Sequence, residues 1–585
     1  MFGRSIVGPV AALGAVAAAA VGVTAALSAG KKPDPGLAVL QKVNHIVVLY
    51  EENHSYDNLY GGWEGTNNLA NADAAHMTQR NQSGTPYSCL MITDVNLAAP
   101  SPLSATCQDS TTTNLFSSHF SATHFDLSTY LGPNATTCPT PGPSTLNPSF
   151  APANGVPSGT GLPGGCTRDL VHRFYQEQYQ IDNGKMDRYI TGSDATGLVM
   201  GTYDTKQLPI YQYLHSQGHP KYAIADDFFQ AAFGGSFLNH QTLICACAPI
   251  WTGAPNDGGA DDLHAVVDGN GMPNNYPLYA SPLGSAVRDP QLTASCTPPA
   301  GRPATPSFVA CGDFAVNTTQ PWYQPYSPGT ADTRRLPPQT QPTIGDELSA
   351  ANVDWAWYAG GWSNANGDVG APGWTNGTGP TCSDPYHQPA SVFPNCPDAD
   401  FQFHHQPFNY YKNYATGTPA RAAHLLDQAV FDNAVATSKT KCNLKPVSFV
   451  KPIGELNEHP GYASEFAGNT AQVSFIKAIE GSACAKDTMI IVTYDEFGGQ
   501  WDHVPPPGTV GAVPGAHDKW GPGTRIPALV ISPLLKADFV VDHVEHDTTA
   551  IMSTIEKRWN LKPIAREAHV ASMATVFKAN PPKTT

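Results

Sequence analysis

Charge is what this sequence has least of. Charged residues make up 14% of the 585 positions, against about 25% in an average soluble domain. Basic residues are the scarcer sign: 32 Lys and Arg face 48 Asp and Glu, for a net charge of −16. No Lys/Arg run offsets this locally. Nucleic acid is therefore excluded as a binding partner, because phosphate backbones need basic patches. The same deficit removes electrostatic attraction to anionic membranes. Several motifs are also absent. Gly61-Gly62 and Gly360-Gly361 lack the Gly-Lys-Ser/Thr partner of a phosphate-binding P-loop. Cys245-x-Cys247 lacks the spacing and the second pair of a zinc knuckle. Ser236 is not on a Gly-x-Ser-x-Gly elbow, since Leu238 stands where the second Gly belongs. No repeat has the length of a solenoid unit.

What is present begins with an exported chain. Arg4 precedes an apolar, Ala-rich run from Ile6 to Ala29, closed by Lys31-Lys32. Residues 1–30 read as a signal peptide, or as an uncleaved N-terminal anchor because the run is long. An anchor of that kind is the single expected route to a membrane, and the body is secreted or periplasmic. Twelve cysteines agree, since an even count outside the cytoplasm implies disulfides. Cys382–Cys396 and Cys296–Cys311 are the plausible local loops, and Cys245-x-Cys247 reads as structural. The 41% of apolar residues exclude wholesale disorder. Gly and Pro number 53 each, which makes the chain loop-rich. Those loops concentrate at about 61–165 and 252–345, and recurring cysteines mark them as insertions on one core. The core is expected over 40–565, with a tail at 566–585. Oligomeric state is not legible.

Three short, β-branched apolar runs read as buried strands: His45–Tyr50, Thr488–Tyr494 and Ile526–Ile531. Helical patterns fall at Pro209–His215, Gln472–Ile479 and Thr548–Trp559, the last with Asp547 as N-cap. Strands alternating with helices predict an α/β fold with a largely parallel central sheet flanked by helices.

In such sheets function collects at the carboxyl ends of strands. Glu51-Glu52-Asn53 follows the first run, and Asp495-Glu496-Phe497-Gly498-Gly499 follows the second. Two strands thus deliver oxygen ligands to one edge, which suits a hard or borderline divalent cation. The glycines let the backbone fold tightly around a bound group. Histidines form a second group: His172, His404, His405 and His459 offer proton transfer and donors to a phosphate. Ser236, after Gly234-Gly235, can be an exposed nucleophile on a tight turn, although an ordinary turn has the same spacing.

Taken in order, these stretches resemble a known family. The blocks are Val43–Gly61, Asp169–His172 with Asn183–Asp187, Gly234–His240, Phe403–Phe408, Asn457–Pro460, Tyr494–Pro507 and Trp520–Pro533. Together they are similar to the bacterial phosphoesterases that include acid phosphatases and non-specific phospholipases C. That resemblance implies an alkaline phosphatase-like core and hydrolysis of phosphoric esters. It implies that Glu52, Asn53, Ser236, Asp495 and Glu496 hold a divalent metal whose identity stays open. It implies Ser236 as the nucleophile, His172, His405 and His459 around the phosphate, and Asn53 and His404 as substrate contacts.

The substrate is a phosphomonoester or a phospholipid. A Ser rather than a Thr at position 236, and the His404-His405-Gln-Pro-Phe408 block, point toward an acid phosphatase ahead of a phospholipase C. A reading from another class stays open: an exported surface protein that binds phosphate or metal without turnover, which needs no nucleophile at Ser236. A sulfatase-like reading is weak, because Ser236-Phe-Leu-Asn-His240 is not a Cys/Ser-x-Pro-x-Arg run.

Overall fold

The computed structural model describes residues 34–92, 104–112, 115–129, 169–297, 306, 309–461, 463–507, 519–564 and 570–582. The expected signal or anchor segment lies outside them, as do Cys138 and Cys166. One compact unit runs from Pro35 to Thr585.

Eight strands form the central sheet: β1 (His45–Glu51), β2 (Tyr222–Ala225), β3 (Trp355–Ala359), β4 (Leu425–Asp427), β5 (Val447–Lys451), β6 (Thr488–Tyr494), β7 (Ala528–Ile531) and β8 (Phe539–Asp542). Their order is β4-β3-β5-β1-β6-β7-β2-β8. All pairings are parallel except the two made by β7. The fold is thus α/β with a largely parallel sheet. One of the three expected strands, Ile526–Ile531, begins at Ala528 and runs against its neighbours, so its carboxyl end faces away from the edge where β1 and β6 end. Strands β1 and β6 are buried along nearly their whole length, as a central parallel strand covered on both faces must be.

The principal helices are α1 (Phe174–Ile181), α2 (Pro209–Leu214), α3 (Ser236–Cys245), α4 (Gln428–Thr437), α5 (Glu465–Glu480) and α6 (Thr549–Trp559). Helix α5 extends seven residues before the expected start at Gln472, with Ser464 accepting from Ala467 N–H as its N-cap. Thr548 occupies the N-cap position of α6 without a side-chain cap bond, and the expected Asp547 carboxylate accepts Thr549 N–H at 2.7 Å. The expected tail is packed. Met573 and Val576 are fully buried, and Val541 N–H donates to Asn580 O at 3.0 Å. Among its described residues, the 252–345 insertion contains only 3-10 turns, one two-residue strand pair and isolated β-bridges before the helix Ile344–Ala350.

Five disulfides join described cysteines: Cys89–Cys107, Cys245–Cys247, Cys296–Cys311, Cys382–Cys396 and Cys442–Cys484. Both expected local loops are among them. No helix of the described residues is long and apolar enough to cross a membrane.

The sheet register builds the site edge. Glu51 pairs with Tyr494 across β1 and β6, so Glu52 and Asp495 leave the sheet side by side. On the other flank Leu49 pairs with Val450, which brings Lys451 alongside the same turn. Strand β2 is parallel to β6, so the chain leading to Ser236 leaves from this edge too.

Candidate active site

The turn before α3 is shaped by close approach. Gly234 has φ +88°, and a Cβ there would meet Phe174 N at 2.5 Å. Ser236 then opens a ten-residue helix, with Gly235 as N-cap. A helix start presents free N–H groups and the positive end of the dipole, which favours an anion. The Ser236 hydroxyl donates to Glu52 Oε2 at 3.1 Å and to Asn53 Oδ1 at 3.4 Å.

Asn53 sits at φ +61°, a left-handed conformation that Asn tolerates better than most residues. Its N–H donates to Asp495 Oδ1 at 3.1 Å, which ties the first acidic turn to the second. Its side-chain amide donates to His459 Nε2 at 2.9 Å and to His172 Nε2 at 3.3 Å. The Nδ1 atoms of these rings face the carbonyls of Pro460 and Leu170 at 2.6 Å each. Those carbonyls hold the ring proton on Nδ1 and leave Nε2 facing the site. Gly498 explains the glycines after Glu496: at φ +64° it lies against Asn53 O, which a Cβ would meet at 2.1 Å. The tight fold anticipated there closes on the chain's own backbone.

The structure brings Glu52, Asn53, Ser236, Asp495, Glu496, His172, His405 and His459 together. His405 Nε2 lies 2.8 Å from Glu52 Oε1, and its carbonyl accepts Trp357 Nε1–H at 2.7 Å. His172 Nε2 lies 3.6 Å from Glu496 Oε1. His404 stands one layer back, its ring edge-on to His405 and to His240.

Two residues escaped the sequence reading. Lys451, fully buried, forms an ion pair with Glu52 Oε1 and donates to Glu51 O at 3.0 Å. It ends an apolar run just as Glu51-Glu52 does, so the same signal was there. His240, four residues after Ser236 on α3, stacks on His405 and forms a metal-capable group with Glu52 and His405. Glu51, named in the acidic strand end, is buried, and burial pushes its carboxyl up to about 8.

The electrostatics are those of crowded carboxylates. Burial would raise Glu52, but His405 and Lys451 outweigh it and hold its carboxyl well below the usual range. Burial and then the Glu52 charge push Asp495 up to about 8. Burial and then Asp495 hold Glu496 well above its ordinary value. Asp495 Oδ2 and Glu496 Oε1 are buried and accept no hydrogen bond among the described residues. Buried charge without a partner is expensive. Three carboxylates, an amide oxygen and a hydroxyl form an all-oxygen donor set that fits a hard divalent cation. By spacing, the metal-capable group at Glu52 is the one with His240 and His405 rather than the one with Asp495 and Glu496, and two other groups have such spacing among the described residues. Asp169, His172 and His459 form one of them, at the mouth of the site. In the other, Asp57, Asp502 and His503, the Arg525 guanidinium already neutralises both carboxylates, at 3.1 Å each.

Lys451→Met is expected to destabilise the metal-free protein by about 3–5 kcal/mol, because Glu52 loses its buried counter-charge. Chemical denaturation measures this, and a change below about 1 kcal/mol would contradict the ion pair.

Phospholipase C B of Mycobacterium tuberculosis is 36% identical over 165 residues, which cover 24% of this chain and 30% of the relative. Non-specific phospholipase C6 of Arabidopsis thaliana is 31% identical over 100 residues, 14% of this chain and 19% of its own length. The chain thus spans less than a third of these curated relatives. Among solved structures, a phosphonate monoester hydrolase from Silicibacter pomeroyi is similar over 43% of this chain and 64% of its own, at 11% identity. Its TM-score is 0.23, too low to bear on the site. The model of the Phosphoesterase family matches residues 43–562, from β1 through α6. That span takes in every strand of the sheet and every residue of the site, and the chain belongs to the Phosphoesterase family.

Proposed function

We propose that this protein is an exported, metal-dependent phosphoric ester hydrolase that works through a phosphoserine on Ser236 and prefers phosphomonoesters. One observation carries the reading: the Ser236 hydroxyl, at a helix start, lies 3.1 Å from a carboxylate at the edge where two acidic turns meet. A serine hydroxyl is a poor nucleophile without activation. A divalent cation held by Glu52, Asn53, Ser236, Asp495 and Glu496 supplies charge that favours the alkoxide and offsets the phosphate's own.

The chain's residues do the rest. Glu52, ionised, accepts the serine proton's hydrogen bond and aims Oγ. Attack forms the Oγ–P bond, passes the hydroxyl proton to Glu52 and breaks the bond to the leaving oxygen. Asn53 Nδ2 turns from the two imidazoles to a phosphate oxygen. With Nδ1–H held by its carbonyl, His459 or His172 acts as the acid only as the imidazolium, whose Nε2 proton passes to the leaving oxygen. His405, on Glu52 Oε1, and His404 behind it steady the acidic turn. Water then attacks the phosphoserine, releasing inorganic phosphate and restoring Ser236.

Beside His172 and Gly235 lies a cavity of about 350 Å³ whose walls include Phe237, Tyr276 and Val316. Tyr276 and Val316 come from the 252–345 insertion, so this loop shapes where the organic part of the ester sits. The five disulfides support export. A second reading, phospholipase C action on phospholipid diesters, is favoured by the names of the curated relatives.

The deciding experiment compares a chromogenic phosphomonoester with phosphatidylcholine vesicles, each with added divalent cations. Faster monoester turnover is the expected result. Preferential diester cleavage moves the protein to the phospholipase C reading with the same site. Turnover of neither leaves a phosphate- or metal-binding surface protein.

A further inference from the structure

Behind the serine turn lies a buried pair that the chemistry above does not use. Glu177, on α1, is fully buried and accepts four hydrogen bonds. They come from Gly234 N–H at 2.5 Å, Gln230 Nε2 at 2.9 Å, Thr524 N–H at 2.7 Å and Thr524 Oγ–H at 2.9 Å. Gln230 is also fully buried and uses both ends of its amide. Its Nε2 donates to Glu177, to Ala232 O at 2.8 Å and to Gly234 O at 3.1 Å. Its Oε1 accepts Phe497 N–H at 2.9 Å. The Gln230 backbone is itself pinned in both directions to the 523–524 segment: its N–H donates to Thr524 O at 3.1 Å, and its carbonyl accepts Gly523 N–H at 2.9 Å.

These partners belong to different parts of the site. Gly234 stands two residues before Ser236, and Phe497 directly follows Asp495-Glu496. The two segments lie more than 250 residues apart in sequence and leave the sheet from different strands. One planar amide spans the gap between them, with a donor for one side and an acceptor for the other. An amide offers both from one end of a side chain without a charge. A Glu at 230 would set a second carboxylate against Glu177 and lose the donor. A Met would fill the volume and make neither bond.

We propose that Gln230, backed by Glu177, is a positioning residue that sets the Ser236 turn in register with the Asp495–Glu496 turn. It acts through Gly234 and Phe497 and touches no reacting atom. The inference rests on Ser236 being the nucleophile. A serine displaced by a fraction of an ångström from its line of attack loses rate while the phosphate pocket of Asn53, His172 and His459 keeps its affinity.

The test is Gln230→Met, assayed with a phosphomonoester in the presence of divalent cation, with inorganic phosphate as competitive inhibitor. The expected result is a fall in kcat of about 10- to 100-fold, with the inhibition constant for phosphate changing less than about threefold. A kcat within threefold of the parent overturns the proposal. So does a parallel loss of kcat and phosphate affinity, which marks general loosening. If Gln230→Met does not fold, Gln230→Asn is read the same way: it keeps donor and acceptor but is one methylene too short to reach both segments. Ser236→Ala in the same assay separates the two claims. Turnover that survives there removes the nucleophile, whereas turnover lost there but intact in Gln230→Met removes only the positioning role.

Discussion

Ser236→Ala should abolish phosphoester turnover, by about 10³-fold or more, while leaving the fold intact. The two halves of that expectation have separate causes. The Ser236 side chain donates toward Glu52 Oε2 and Asn53 Oδ1 and caps no backbone group. Alanine is the best residue for a helix position, and α3 is buried along its length by its other side chains. The substitution removes one oxygen and nothing that holds the turn. Metal-dependent thermal stabilisation should therefore persist in the variant. Residual turnover near one tenth of the parent would remove Ser236 as nucleophile and point to direct attack by water.

Asp495→Asn is the second large effect. The Asp495 carboxylate does two jobs with its two oxygens. Oδ1 accepts Asn53 N–H at 3.1 Å and Glu496 N–H at 2.9 Å, and an Asn oxygen can keep both bonds. Oδ2 is the buried oxygen that accepts no hydrogen bond among the described residues, with His240 Nδ1 at 3.7 Å, and in Asn it becomes an NH₂ that repels a cation. Removing one partner from a buried charge pair costs about 3–5 kcal/mol. Divalent-cation affinity, measured by calorimetry, should fall about 10²- to 10³-fold, and turnover with it. A stability change of opposite sign accompanies this in chelated protein. Burial and the Glu52 charge push Asp495 up to about 8 in the folded state, against about 3.9 unfolded. Between these values the folded state holds a proton that the unfolded state has released, so this group's contribution to stability falls as pH rises. Asp495→Asn removes that slope. Chelated variant protein should melt higher than chelated parent at pH 8, and equal melting temperatures would show that Asp495 is not charge-crowded.

How much of this was legible in advance differs from one element to the next. Strands β1 and β6 could be read from sequence because both are long, β-branched and covered on both faces, which leaves an unbroken apolar run. Strands β3 and β4 could not. The first is Trp-Ala-Trp-Tyr-Ala, and the second is three residues long and merges into the helix that follows. The direction of β7 was also hidden, because an apolar run carries no sign of which way it points. Helix α5 was read short, since its first turns carry Gly468, Asn469 and Thr470 where apolar spacing would otherwise show.

The site divides in the same way. Glu52, Asn53, Asp495 and Glu496 follow strand ends, and Ser236 follows two glycines, so local sequence together with the family resemblance singled them out. His240 and Gln230 have no such local mark, and Lys451, which does end an apolar strand, has nothing in its neighbours to name its partner. Their roles arise from register: Leu49 opposite Val450 puts an ammonium on Glu52, and the Gln230 amide meets Phe497 from across the chain. The sequence by itself determined the fold class, the acidic edge and the residue types available for phosphoryl chemistry, because these depend on periodicity and on neighbours a few residues apart. Only the tertiary structure decided which charges are paired, which carboxylate oxygens stay open and what holds the serine in line. Each of those is a contact between segments hundreds of residues apart, and the sheet register creates it.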